Sequence, residues 1–158
     1  MLKTKSGKQI NNASDIPSHN KLSKTFKDGK NEVVKIGFPA LSSESNSTDD
    51  EGVTALFKAT VNNYGLGVPK RPFMSIAFAK NIGKYKKIIK SKIGNDPQSK
   101  ILSFIGSVGA GDIKKTIRDL KSPPNSDLTI KIKGTDNPLI DSTHMVNAVS
   151  YAVEDKRW

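Results

Sequence analysis

Proline sets the punctuation of this 158-residue chain. Pro69 and Pro72 fall close together, Pro97 follows, and Pro123 and Pro124 are adjacent. Proline fixes φ, lacks an amide hydrogen and pushes the preceding residue away from helix. The long helices must therefore lie between these points. From Phe73 to about Ile93 a helix is predicted, with Ile82, Tyr85, Ile89 and Ile93 as its buried stripe. Lys84, Lys86, Lys87 and Lys90 fall mostly outside that stripe. Gly94-Asn95-Asp96-Pro97 breaks it. A second helix is predicted from about Pro97 to Lys121, with Pro97 in its first turn. Its stripe is Ile101, Ile105, Val108, Ile113, Ile117 and Leu120. Gly106, Gly109 and Gly111 lie inside this helix. Each glycine costs about 1 kcal/mol relative to alanine in an exposed helix, so they mark close packing or a kink.

The remaining segments are shorter. Val34, Ile36 and Phe38 alternate with Lys35 and Gly37, the pattern of a strand with one buried face over Glu32–Phe38. Val53, Leu56, Phe57, Val61 and Tyr64 recur at helical spacing, closed by Gly65. Residues 65–73 form a rigid turn. Ser122-Pro123-Pro124-Asn125 stops the second long helix. Residues 126–142 read as irregular, with a helical turn at Leu128–Ile132. His144–Val153 reads as a short helix running into a strand around Val149–Val153. The expected fold class is α+β, with a small, mostly antiparallel sheet from distant segments packed against two main helices.

Two regions fall outside that core. Residues 1–31 are polar and lysine-rich and read as a flexible basic N-terminal arm, with a short helix around Leu22–Phe26. Residues 32–158 read as a single domain. Within it, residues 39–52 form a mobile acidic loop ending Thr48-Asp49-Asp50-Glu51-Gly52. Hydrophobic residues are 35% of the chain, which limits the size of the core.

The formal net charge is +11, which invites a nucleic-acid reading. Of the 26 basic residues only Arg71, Arg118 and Arg157 are arginine. Lysine is a flexible point charge and a poor reader of base edges. The lysines are spread along the chain, and a solvated lysine surface is the plain reading, with a surface facing DNA or an acidic partner as its rival. There is no cysteine, so disulfides and thiolate metal sites are excluded. No apolar run reaches the length of a bilayer span. The basic N-terminus lacks the apolar stretch of a signal peptide. The expectation is synthesis and use in a reducing cytoplasm.

Chemistry-bearing patterns are sparse. His19 and His144 stand at no metal-ligand spacing and read as free surface histidines. Ser142-Thr143-His144 lacks the surroundings of a nucleophile elbow. The glycines of Gly106–Lys115 superficially suggest a phosphate loop. Such a loop needs lysine then Ser or Thr directly after its last glycine, whereas Gly111 is followed by Asp112-Ile113. Asp112, Asp136 and Asp141 read as caps of helices or turns.

Two stretches are more specific. One is Gly67-Val-Pro-Lys-Arg-Pro-Phe-Met74. The other runs from Ser122-Pro-Pro-Asn through Lys133-Gly134 to Pro138-Leu-Ile-Asp141. Together, and with Asn63-Tyr64-Gly65 before them, they resemble the paired signatures of a family of minor tail components of tailed bacteriophages. That family acts in tail completion and head–tail joining. The resemblance covers roughly residues 33–153. It departs from the family where Thr-Gly commonly follows Ile-Asp, since here Ser142-Thr143-His144 stands. Neither the arm nor the acidic loop belongs to it.

The resemblance implies a ring-forming or ring-bound structural subunit of the virion neck, without cofactor and without catalysis. Implied partners are copies of itself, a head-side connector or stopper, and a tail terminator or tube, with passing contact to DNA and none to membrane. The virion's head–tail junction is the implied location, reached from the cytoplasm of the bacterial host. A tail terminator or tube subunit stays within the same structural class, and a non-specific DNA-binding protein is the alternative. On this reading Pro69 and Pro72 hold Arg71 and Phe73 ready for a neighbouring subunit. The other option is that Phe73 enters its own core and Arg71 caps a local carbonyl. For Pro138-Leu139-Ile140-Asp141, Leu139 and Ile140 are expected in the core and Asp141 as a cap or interface residue. Asp49, Asp50 and Glu51 are expected to meet the lysine arm of a neighbouring subunit, steering assembly.

Overall fold

The computed structural model describes residues 25–26, 31–39, 46–49, 52–140 and 143–156. Their elements follow the order β1 (Glu32–Gly37), α1 (Ala55–Tyr64), α2 (Phe73–Lys92), α3 (Gln98–Asp119), α4 (Asp127–Lys133), α5 (His144–Asn147) and β2 (Ser150–Asp155). The expected arm lies almost wholly outside the described residues. Thr25 of the arm is buried, and its hydroxyl accepts the Gly94 N–H at 2.7 Å.

The fold is α+β, built around α3. That helix packs against α2 and against both strands. β1 and β2 pair antiparallel across more than a hundred residues of sequence, with Val34 opposite Val153 and Ile36 opposite Tyr151. Gln98, in the first turn of α3, donates to the Glu32 carbonyl at 3.1 Å and fixes the ribbon to the helix. Val34 and Ile36 face the core as the alternation predicts.

Two of the three glycines in α3 have a packing role. A Cβ at Gly106 would lie 2.3 Å from the Tyr151 ring, and one at Gly109 would lie 2.8 Å from Ile36 Cδ1. The glycines let the ribbon approach the helix backbone, so the close-packing reading holds at these two positions. At Gly111 there is open space instead.

The larger core cluster gathers Ala59 of α1, Phe73 and Ala77 of α2, Ala110, Ile113 and Ile117 of α3, Leu139, Met145, Val146 and Val149. The smaller joins Tyr85 to Ile101 and Ile105. Phe38 meets Phe73 edge-on, with ring centroids 6.3 Å apart. The stripe of α3 is as predicted: Ile101, Ile105, Ile113 and Ile117 are buried, and Val108 and Leu120 partly so.

The stripe of α2 differs from the expectation. Ile82 and Ile89 are exposed, Ile93 is half-buried, and the inner face is Phe73, Ala77 and Tyr85 with Phe78 and Ile88 beside them. The rotation of the helix is set at its first residue. Phe73 is fully buried, Ala77 follows one turn later, and Tyr85 then points at α3. Tyr85 donates its hydroxyl to Asp112 at 2.8 Å, and Lys84 reaches the same carboxylate at 2.5 Å. Burial, then the bond to Asp112 and its charge, pushes the Tyr85 hydroxyl pKa up. Asp112, expected as a cap, is therefore a link between helices.

Glycine substitutions in the two long helices should separate into two classes. Gly83 and Gly111 are helical and meet nothing within 4 Å, so Gly83→Ala and Gly111→Ala should each stabilise by about 0.5–1 kcal/mol. Gly106→Ala should destabilise, because the ring of Tyr151 has to move, and Gly109→Ala should cost less, because only the tip of Ile36 stands in the way. Urea midpoints of the four variants measure this order.

Candidate functional site

The two proline segments of the sequence, some fifty residues apart, are bound together by Arg71. The turn that carries it begins at the end of α1. Gly65 takes φ +78° and closes the helix by donating to the Val61 carbonyl at 2.9 Å. A side chain at Gly65 would strike Lys70, so the turn folds tightly on itself. The Arg71 N–H then returns to the Asn62 carbonyl at 2.8 Å. Asn63 is buried, and its side-chain oxygen accepts from Met74 N–H at 3.4 Å, serving an otherwise unpaired amide at the start of α2. That start has no other side-chain cap, since Pro72 occupies the capping position.

Arg71 is 4% exposed. Its Nε donates to the Pro123 carbonyl at 2.9 Å and its Nη2 to the Pro124 carbonyl at 3.1 Å. Nη1 donates to Asn62 Oδ1 at 3.1 Å, and Nη2 also to Asn125 Oδ1 at 3.2 Å. The acceptors are all neutral. Burial lowers the guanidinium pKa from its ordinary value, but arginine stays charged in proteins. The Ser122–Pro123 peptide bond is cis.

The network continues. Asn125 Nδ2 donates to the Asn137 carbonyl at 3.4 Å, and Asn137 Nδ2 donates to the Arg118 carbonyl at the end of α3, at 3.0 Å. Asn137 Oδ1 accepts from Leu139 N–H at 3.2 Å, turning the chain so that Leu139 enters the core. Ile140 packs partly buried beside it. Asn137 thus holds the turn that leads into Leu139 and Ile140.

Of the two options for Arg71 and Phe73, the structure shows the inward one. Phe73 is fully buried in its own core, and the donors of Arg71 are directed at its own chain. A planar fork of donors finds carbonyls within reach, and burying it unpaired would be costly. Pro72 is half-buried and Pro69 exposed. Asp49 accepts from Val53 N–H at 2.9 Å and pairs with Lys58 of α1, and the Ala55 N–H donates to the Ser47 carbonyl at 3.2 Å. Asp50, Glu51 and Asp141 lie outside the described residues, as does Ser142.

What the two segments leave outside is a groove of about 470 Å³. Val68, Pro69 and Arg71 line one side, and Asn125, Thr129 and Lys133 the other. The elements that line it also carry exposed apolar side chains, of which Val68 lies in the groove itself. Tyr64, Leu66 and Val68 are exposed on the first segment, and Leu128 and Ile132 are 68% and 78% exposed on α4. The helix α4 buries no residue at all. Its ends are nevertheless well formed, with Ser126 accepting from Thr129 N–H and Gly134 left-handed at the close. The sequence could have shown Leu128 and Ile132 as a solvent-facing pair only through the absence of further apolar residues at helical spacing.

His144 is half-buried and not a free surface group: its Nε2 lies 2.8 Å from Ser47 Oγ. Its Nδ1 is buried without a hydrogen-bond partner, so no carboxylate orients this pair as a triad requires. Among the described residues no three His, Asp or Glu side chains gather as metal ligands. Among the same residues no helix is long and apolar enough to cross a membrane. Set against family models, curated proteins and solved structures, the chain matches none.

Arg71 should therefore behave as a structural residue. Arg71→Lys retains charge but cannot serve four acceptors in one plane, and it should lower stability by about 2–4 kcal/mol. Equilibrium urea unfolding measures the loss. A midpoint within error of the parent chain would contradict the role given to this side chain.

Proposed function

We propose that this chain is a structural subunit of a tailed-phage neck, joining or completing the tail by fitting against neighbouring subunits. The observation that carries the reading is the joining of its two motif segments. The parts of the sequence that resemble the phage family, 67–74 and 122–141, are fastened to each other by Arg71 and Asn125. They form one surface with an open groove, and the same elements carry exposed apolar side chains. Large apolar side chains grouped around a groove are the usual anchors of a protein interface. A surface that keeps its shape when alone also loses little entropy on docking. Neighbouring copies about the tail axis would close a ring, as symmetric oligomers do. A tail terminator or tube subunit would use the same kind of surface.

This reading is tested in the particle. Purified virions should contain the chain, and electron microscopy should place its density at the head–tail junction. Leu128→Asp combined with Ile132→Asp should leave stability within about 0.5 kcal/mol, because both side chains are exposed. The same variant should fail to enter virions. Absence of the parent chain from purified particles, or normal incorporation of the folded double variant, would overturn the respective claim.

A further inference from the structure

The charge of this protein is not spread evenly. Between Phe73 and Lys121, eleven Lys and Arg face three Asp, so +8 of the chain's +11 resides in 49 residues. That span is α2, α3 and the turns that bound them. α2 alone carries six lysines and no carboxylate.

The lysines of α2 divide by face. Lys84 is held by Asp112 and Lys92 by Asp96, both on the side toward α3. Lys86, Lys87 and Lys90 are exposed on the outer side, and no carboxylate pairs with them among the described residues. Lys80, one to two turns earlier, is exposed at the groove between α2 and α3, which it lines with Asp112 and Asp119. Like charges three or four residues apart repel along a helix. A lysine at the last turn gains from the helix dipole, which accounts for Lys90 but not for Lys86 and Lys87. The outer face therefore keeps an internal repulsion that a polyanion would relieve.

We infer that the outer face of α2 binds the phosphate backbone of duplex DNA without sequence preference. From Lys86 to Lys90 the row runs about 6 Å along the helix, and a duplex presents one charge per roughly 1.7 Å of its axis. Its cations are all lysine, suited to phosphates as point charges and not to bidentate reading of base edges. The face carries Ile82 and Ile89 but no exposed aromatic ring, so it offers no platform for the stacked bases of a single strand. The inference does not depend on where the chain resides in a particle.

The experiment is fluorescence anisotropy of the full chain with a labelled mixed-sequence duplex of about 20 base pairs, across a salt series. The parent should bind, with affinity falling steeply as salt rises. The triple variant Lys86→Gln, Lys87→Gln, Lys90→Gln should bind more weakly, with a log–log slope shallower by about 2–3. A second triple variant, Lys70→Gln, Lys121→Gln, Lys131→Gln, removes the same net charge from elsewhere and should change the slope far less. Circular dichroism should show both variants folded. Equal losses in the two variants, or no binding by the parent, would overturn the inference. So would displacement of the duplex by polyglutamate or anionic lipid vesicles at the charge concentration at which unlabelled duplex displaces it. Failure here leaves the virion assignment standing, since that is decided by particle composition and density.

Discussion

A single buried cation organises the outward surface of this protein. The Arg71 guanidinium is almost wholly removed from water and satisfied by two proline carbonyls and two asparagine oxygens. Proline carbonyls suit this role, because a segment that cannot continue a helix leaves its acceptors free. Without the arginine, two irregular loops would have little to hold them in register. With it, the end of α1, the start of α2 and the segment after α3 become one body. The asparagines extend the bond pattern to the last turn of α3 through Asn137.

The rest of the fold answers a different constraint, the close approach of a two-stranded ribbon to one helix. An isolated pair of strands is marginal in water. Here α3 supports it, because Gly106 and Gly109 let Tyr151 and Ile36 settle against the helix. The ribbon closes the chain between its distant ends, and α2 and α3 supply most of the buried aliphatic surface. The protein thus has a conventional core on one side and a polar knot of arginine and asparagine on another. The first accounts for stability. The second gives definite shape to a surface that would otherwise be loop.

Much of this was legible beforehand. Helical spacing and proline placement gave α1, α2 and α3 within a few residues, since both act locally along the chain. Alternation at Val34, Ile36 and Phe38 gave β1, and the short terminal helix and strand were expected in the right order. The rotation of α2 was not legible. Ile82 and Ile89 offer an apolar face as plausible as the one that is buried, and the choice fell to Phe73 and Ala77 meeting the core first. The partners of Arg71 were hidden for a similar reason. Pro123, Pro124 and Asn125 lie more than fifty residues away, and no local pattern announces that their oxygens converge. Asp49 looked like part of a free acidic run, yet it folds back on Lys58 and Val53 at short range.

By itself, the sequence determined where helices could run, where they had to stop, and that two proline-rich segments would be stiff. These follow from dihedral limits and periodicity, which need no neighbours. Only the tertiary structure decided that the stiff segments grip each other, turning Arg71 and Phe73 inward and leaving Leu128 and Ile132 outside. It also decided which lysines of the basic stretch 73–121 are paired, as Lys84 and Lys92 are, and which are left facing solvent. Those outcomes depend on which groups meet across long stretches of chain, and burial energies, not local propensities, select them.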